Sequence, residues 1–122
     1  MQVTDQETPK SRLNSERGQA LAQIAELERE FAAIVASAAN GSAGSDDEHD
    51  PEGATVAFER QHIAALLSQA GAHLEAIDAA LRKVDAGVYE ICDRCGGPIG
   101  AERLTARPAA LTCVQCAAKR PA

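Results

Sequence analysis

Four cysteines in two close pairs carry the clearest chemistry in this 122-residue sequence. Two residues separate Cys92 from Cys95 and Cys113 from Cys116, and 17 residues lie between the pairs. Two knuckles at this spacing supply four thiolates to one tetrahedral Zn²⁺. Gly96 and Gly97, directly after the first pair, permit the positive φ that turns backbone amides toward the sulfur atoms. The spacing therefore predicts one structural zinc ion held by all four cysteines.

Other uses of the cysteine pairs fit the sequence less well. A thioredoxin-like motif needs its CxxC at the start of a helix within a βαβ unit, and no strand–helix alternation is found. A catalytic zinc ion keeps an open position, which four cysteines close. A helix that reads DNA needs a basic face, and only Arg103, Arg107, Lys119 and Arg120 are available. Disulfides belong to oxidising compartments, and the N-terminal MQVTDQETPK lacks the features of a signal peptide. The sequence alone leaves these alternatives open.

Charge and hydropathy narrow the class of protein. Residues 1–50 hold ten acidic and four basic residues, residues 51–91 hold six and three, and residues 92–122 hold two and five. Zinc-bound thiolates would offset most of the positive excess in the last segment, so strong attraction to nucleic-acid phosphates is not expected.

No run approaches the roughly twenty apolar residues of a membrane helix. No nucleophile–base set stands out either. We expect a cytoplasmic protein that is not an enzyme, does not enter membranes and binds no specific nucleic-acid sequence.

Two periodic runs of apolar residues predict the elements that position the cysteines. The alternating 4, 3 spacing of a coiled-coil seam occurs in the first run at Ala20, Ile24, Leu27, Phe31 and Ile34. The second run keeps the same spacing at Ile63, Leu67, Ala70, Leu74, Ile77, Leu81 and Val84. Pro51 suits the first helical position and Gly87 suits the C-terminal cap, so a helix over about 51–86 is predicted.

A helix with a single apolar stripe must bury it against a partner, and the short connection favours an antiparallel hairpin. With the turn centred near residue 45, the numbers of facing residues sum to about 90. This register places Leu27 near Ile63, and Phe31 near Phe58. Because the hairpin uses its seam internally, we expect a monomer.

The predicted fold is mainly α: an antiparallel coiled-coil helical hairpin followed by a small four-cysteine zinc-finger module and a short C-terminal helix. We divide the chain into a flexible N-terminus (1–10), the coiled-coil hairpin (11–87) with its tip at 40–53, and the zinc-finger module (88–122). An apolar patch is expected to join the module to the hairpin base through Val84, Val88, Tyr89, Ile99 and Leu104.

The predicted tip contains a dense cluster of carboxylates, which consists of Asp46, Asp47, Glu48, Asp50 and Glu52. One interpretation is a solvated loop whose charges cap the second helix. The other is an effector that suits a basic channel, or a hard cation such as Mg²⁺ held by a partner.

The segment from Tyr89 to Cys116, YEICDRCGGPIGAERLTARPAALTCVQC, resembles the zinc-finger signature of the DksA/TraR family. In that signature a CxxCG pair is followed by I-G, then by R-L-x-A-x-P, and then by the second pair. The preceding hairpin has the order and length found in the family. The resemblance covers about residues 11–120.

This resemblance implies a bacterial transcription regulator that binds RNA polymerase through its secondary channel and modulates initiation, often under stress. The five acidic residues would lie near the catalytic Mg²⁺ of the polymerase, and Arg103 and Arg107 are candidates for partner binding. The sequence departs from the family's D-P-x-D-x-A tip motif at Gly53 and Thr55, and Ala117 replaces a frequent Lys. The resemblance thus supports polymerase binding more than an alarmone response. The alternative function is a zinc-stapled helical adaptor or dimerisation module for another protein.

Overall fold

Helices make up the regular structure of the residues that are described. The computed structural model describes residues 8–41 and 51–119, with side chains described over 8–37 and 53–119. These residues form α1 (Pro9–Gly41), α2 (Pro51–Ala86), α3 (Ala101–Ala106) and α4 (Val114–Ala118). An antiparallel bridge between Ile91 and Pro98 is the β-type pairing found in this part of the chain. The predicted mainly helical fold, with a short last helix, is confirmed.

Local sequence sets where the long helices begin and end. At the start of α1, the backbone N–H of Thr8 donates to the Ser11 hydroxyl and that of Ser11 donates to the Thr8 hydroxyl, each at 3.1 Å. This reciprocal cap satisfies two amides that lack helical partners. After α2, Gly87 has φ 79°, and the N–H groups of Gly87 and Val88 donate back to the last turn at 3.1 and 2.9 Å. This is a Schellman ending, which confirms both the extent predicted for the second helix and its cap.

Buried residues recur every seven positions along each long helix. They are Leu13, Ala20 and Leu27 in α1 and Ile63, Ala70 and Ile77 in α2, with Ala80 in addition. The intervening positions of the predicted seams, such as Ile24 and Leu67, are half-buried. Heptad spacing of this kind is the packing of a coiled coil. The predicted seam is confirmed, and in α1 it begins one heptad earlier than expected, at Leu13.

The described residues fall into two compact units. The first consists of residues up to Ala20 together with those from His73 onward, and the second is Leu21–Ala72. The first unit therefore contains the four cysteines and the short helices. Within the described ranges, no helix combines the length and the apolar character needed to cross a lipid bilayer.

In the second unit, burial agrees with the predicted seam except at Phe58. Leu27 and Ile63 are 7% and 8% exposed, and their numbers sum to 90. Phe58 was expected to lie near Phe31 and to close the seam, and this prediction is wrong, because Phe58 is 72% exposed. Val56, which is half-buried, takes the seam position seven residues before Ile63. Phe58 therefore lies outside the stripe that pairs the helices.

In the first unit, α1 and α2 run antiparallel around a small apolar core. Leu13 and Ile77 are fully buried in this core, and their numbers again sum to 90. Beside it, Arg17 Nε donates to Asp78 Oδ1 at 2.7 Å. Because both charged side chains remain more than a third exposed, this pair stabilises the fold by about 1 kcal/mol at most. Apolar packing therefore contributes more to the stability of the hairpin base than this ion pair does.

Tyr89 connects the hairpin base to the zinc-finger module. It packs against the core of Leu13 and Ile77, as Ala109 and Leu111 do. It also packs against the second apolar cluster of this unit, which consists of Cys92, Ile99 and Leu104. The predicted joining patch is thus confirmed for Val84, Tyr89, Ile99 and Leu104. It is wrong for Val88, which is 38% exposed because it follows the turn at Gly87.

The hydroxyl of Tyr89 donates a hydrogen bond to the Pro108 carbonyl at 2.7 Å. Burial raises the pKa of Tyr89 above its usual 10.0, an effect that Arg12 opposes and that Glu16 and Glu90 increase. Since the folded protein favours the neutral phenol, this group stabilises the fold below its unfolded pKa. That stabilisation is lost as pH rises through the folded pKa.

We expect the phenol of Tyr89 to titrate above 10.0 in the zinc-loaded protein and close to 10.0 in denaturant. The chain has one tyrosine and no tryptophan, so phenolate absorbance reports this residue alone. Tyr89→Phe removes the hydrogen bond and should lower the free energy of unfolding by about 1 kcal/mol at neutral pH. Identical titration midpoints in the folded and denatured states would contradict the buried environment of the ring.

Candidate metal centre

The four cysteine sulfur atoms converge at one point of the first unit. The Sγ atoms of Cys92, Cys95, Cys113 and Cys116 all lie within 4.8 Å of one another, and those of Cys95 and Cys113 are 3.9 Å apart. A zinc ion with four Zn–S bonds of about 2.3 Å in a tetrahedron separates its sulfur atoms by about 3.8 Å. The donor set therefore fits Zn²⁺ in both number and spacing.

A tight turn forms the first knuckle. The backbone N–H of Cys92 donates to the Gly97 carbonyl at 2.7 Å, and that of Ile99 donates to the Glu90 carbonyl at 2.8 Å. Gly96 has φ 75°, a conformation that residues with a Cβ rarely adopt. Its N–H donates to the Cys92 carbonyl at 3.0 Å, which closes the turn between the two cysteines and the glycine. The positive φ expected at Gly96 is confirmed, whereas the same expectation is wrong for Gly97, whose φ is not positive.

Backbone amides point at the sulfur atoms. Cys92 Sγ lies 3.4, 3.5 and 3.3 Å from the N–H donors of Arg94, Cys95 and Cys113. Cys95 Sγ accepts from the N–H of Gly97 at 3.4 Å. Such donors stabilise thiolates, which carry the negative charge in a zinc site. Cys92 is only 2% exposed, so these amides replace the water that its sulfur has lost.

The thiols of the metal-free cluster ionise unequally. The amide of Cys95, followed by those of Cys113 and Arg94, lowers the pKa of Cys92 to about 6 despite its burial. A hydrogen bond from the amide of Cys116 lowers the pKa of Cys113. The Cys116 thiol donates a hydrogen bond to Cys113. This bond, together with burial, raises the pKa of Cys116 to about 12. Four thiolates this close repel one another, and a divalent cation compensates that repulsion while it displaces the remaining protons.

Lys83, in the last turn of α2, fixes the first knuckle. Its Nζ lies 2.9 Å from Asp93 Oδ1 and donates to the Ile91 carbonyl. The Lys83 side chain is only 12% exposed, so its ammonium group is held against the knuckle. The sequence offered one indirect signal for this role, a cation placed where the helix dipole favours it.

Two arginines hold the chain between the knuckles. Arg12 Nη2, from α1, donates to the Thr105 carbonyl at 2.6 Å, and Arg103 Nε donates to the Thr112 carbonyl at 2.8 Å. Thr105 lies in the last turn of α3, where carbonyls lack helical partners. The arginines therefore satisfy backbone acceptors, and Arg12 ties the start of the chain to the module. Sequence reasoning missed Arg12 and Lys83.

The residues predicted to contact a partner, Arg103, Arg107 and the acidic residues of the tip, are not part of the metal cluster. Arg103 uses its Nε inside the module, whereas Arg107 is exposed just after α3. Both line a depression of about 400 Å³ in the first unit, with Glu16 and His73 opposite. Four acidic residues of the predicted tip lie outside the described residues, namely Asp46, Asp47, Glu48 and Asp50. Glu52 lies in the first turn of α2, and its side chain is not described.

Fold and site together define a zinc-finger protein built on a helical hairpin, with one structural zinc ion. Residues 87–122 match the family described as prokaryotic dksA/traR C4-type zinc finger. This match covers the zinc-finger segment, and the relatives and the solved structure below support the same DksA/TraR family.

The similar curated proteins share only part of their length with this chain. An uncharacterised protein of Aquifex aeolicus is 48% identical over 46 residues, which are 38% of this chain and 32% of the relative. The RNA polymerase-binding transcription factor DksA of Haemophilus influenzae is 44% identical over 43 residues, 35% of this chain and 30% of the relative. Uncharacterised protein YteA of Bacillus subtilis is 36% identical over 72 residues, 59% of this chain and 30% of the relative. The matched segments thus span about a third of each relative.

The likeness to a solved structure covers more of the chain. Transcription factor DksA2 from Pseudomonas aeruginosa matches with a TM-score of 0.55 and 27% identity. The match includes 94% of this chain and 84% of that protein. The helical hairpin and the zinc finger are therefore both part of the shared fold.

Proposed function

We propose that this protein is a bacterial transcription regulator that binds RNA polymerase through the secondary channel and modulates initiation without reading a DNA sequence. The observation that supports this most is the attachment of a four-thiolate cluster to the base of an antiparallel hairpin. The Pseudomonas transcription factor shares this fold over 94% of the chain. The Haemophilus relative is named for binding RNA polymerase.

In the proposed mechanism the hairpin, residues 11–87, carries the acidic tip and the zinc-finger module, residues 88–122, anchors the hairpin base. Carboxylates of the tip act near the Mg²⁺ of the polymerase active centre, where oxygen ligands and negative charge interact strongly with the cation. Arg107, which is exposed, is proposed to contact the polymerase. Arg103 remains a second candidate, through the guanidinium donors that its bond to Thr112 does not use.

We further propose that the protein acts as a cytoplasmic monomer and is not an enzyme. Four thiolates complete the tetrahedral coordination of zinc, so the metal keeps no position for a substrate or a reactive water. The apolar stripes of α1 and α2 are used against each other within the chain, as the buried heptad positions indicate.

Neutralising the tip tests this proposal. We expect the triple variant Asp46/Asp47/Asp50→Asn to bind bacterial core RNA polymerase with the affinity of the original protein but to lose its effect on promoter-complex lifetime. Asn keeps the shape of Asp and caps helices equally well, so the variant removes charge while preserving the start of α2. Binding is measured with the zinc-loaded protein, and the lifetime is measured in a competitor-challenge assay.

A triple variant with the same change in net charge provides the control. Glu28, Glu75 and Glu90 are exposed and lie away from the acidic segment in sequence, so their replacement by Gln should leave the lifetime effect intact. If the original protein does not bind polymerase, the proposed function is wrong. The chain would then be interpreted as a zinc-stapled helical adaptor for another protein.

A further inference from the structure

An apolar groove lies between α1 and α2 in the second unit. Its volume is about 400 Å³, and its walls come from both helices. Ala33 and Ile34 contribute apolar surface from α1, while Phe58 and Ile63 contribute it from α2. All of these residues belong to Leu21–Ala72, so the groove is complete within one unit.

Phe58 is the feature of this groove that the fold leaves unexplained. At 72% exposure it is the most exposed of the large apolar side chains described, ahead of Val114 at 59%. It takes no part in the seam, since Val56 fills the neighbouring seam position. Burying an aromatic side chain of this size against a partner releases more free energy than burying most other residues. Exposed aromatics beside a concavity are typical anchors of protein interfaces.

The charges around the groove indicate what kind of partner fits it. Glu30 and Glu59 line it, and none of the described lining residues is lysine or arginine. Two copies of this chain that met groove to groove would bring four carboxylates together, which opposes a symmetric dimer. A segment that presents an apolar side chain beside lysine or arginine would bury Phe58 and pair with both carboxylates.

We propose that this groove docks a partner segment in which an aliphatic or aromatic side chain is flanked by basic residues. The inference rests on the proposed function, and the segment is assigned to RNA polymerase. The groove thereby gives α1 and α2 a contact surface of their own within Leu21–Ala72. Phe58 supplies the apolar contact, and Glu30 and Glu59 supply its charge selectivity.

Binding of zinc-loaded variants to core RNA polymerase tests the groove. Phe58→Ala should weaken binding about tenfold or more, while Phe58→Leu should recover much of the loss. Alanine is the best helix former, and Phe58 is exposed, so helicity and melting temperature should not change. The double variant Glu30→Gln/Glu59→Gln should weaken binding about threefold and reduce its dependence on salt concentration.

Val35→Ala is the matched control, because Val35 is also exposed, at 39%, in the same unit but does not line the groove. We expect its affinity to stay within about twofold of the original. Equal binding by Phe58→Ala and the original protein would overturn the groove proposal while leaving the proposed function intact. A dimer of the original chain that dissociates in Phe58→Ala would also overturn it, since the occupant would be a second copy. Failure of the original protein to bind polymerase would reject both proposals.

Discussion

Cys92→Ser should abolish stoichiometric zinc binding and unfold the zinc-finger module while most of the helical signal remains. Cys92 is the most buried of the four ligands, and its sulfur accepts three backbone N–H groups. Structural zinc contributes about 10–16 kcal/mol to the folding of such modules, and serine is a poor ligand for it. The module has few large apolar side chains that could substitute for the metal.

Zinc content and amide NMR dispersion measure the loss of the metal and the unfolding of the module. Far-ultraviolet circular dichroism measures the helicity that remains. The helices α3 and α4 hold 6 and 5 residues, against 33 and 36 in α1 and α2, so ellipticity should fall only modestly. Val114→Ser, at an exposed position beside the second cysteine pair, should keep one zinc ion. Complete loss of ellipticity in Cys92→Ser would show that the hairpin does not fold without the module.

Ile77→Ala is expected to be the most damaging substitution within the hairpin, with a loss of about 3 kcal/mol in the free energy of unfolding. Ile77 is fully buried, and it shares a small core with Leu13. The truncation leaves a cavity that the alanines nearby are too small to fill. A small domain is stabilised by only about 5–15 kcal/mol, so this loss is a large fraction of the total.

Denaturant unfolding of the zinc-loaded protein, followed by ellipticity, measures the effect. Leu21→Ala removes the same class of side chain from a position that is 42% exposed in α1, and it should cost less than about 1 kcal/mol. An Ile77→Ala variant as stable as Leu21→Ala would contradict the core described for the first unit.

The periodic spacing of apolar residues predicted α1 and α2 because buried positions repeat along both helices. Every second seam position is buried from Ala20 to Leu27 and from Ile63 to Ile77, so the 4, 3 pattern and the capping residues were sufficient to define α2. Leu13 was missed because Arg17, where the pattern requires an apolar residue, interrupts the alternation before Ala20. Phe58 was misplaced because hydrophobicity alone does not distinguish a seam residue from an exposed one.

The cysteine spacing predicted the metal centre, but the contacts that orient it depend on distant residues. Arg12 and Lys83 bind carbonyls of the module, and any exposed cation in a helix could do the same. Nothing in the sequence ties Arg12 to a carbonyl 93 positions away. Contacts of this kind arise only once the helices and the turn at Gly87 have fixed the path of the chain.

The hydrogen bond from Arg12 to Thr105 and the packing of Leu111 at the hairpin base also constrain how the chain folds during translation. Leu13 leaves the ribosome long before Leu111, and at about 5–20 residues per second the delay is on the order of 5–20 s. Through that interval the part of the native cover that Leu111 provides is missing, a state that favours chaperone binding or aggregation. The hairpin base is completed only when Ala109 and Leu111 have been made, so its last apolar contacts form after both long helices have been synthesised.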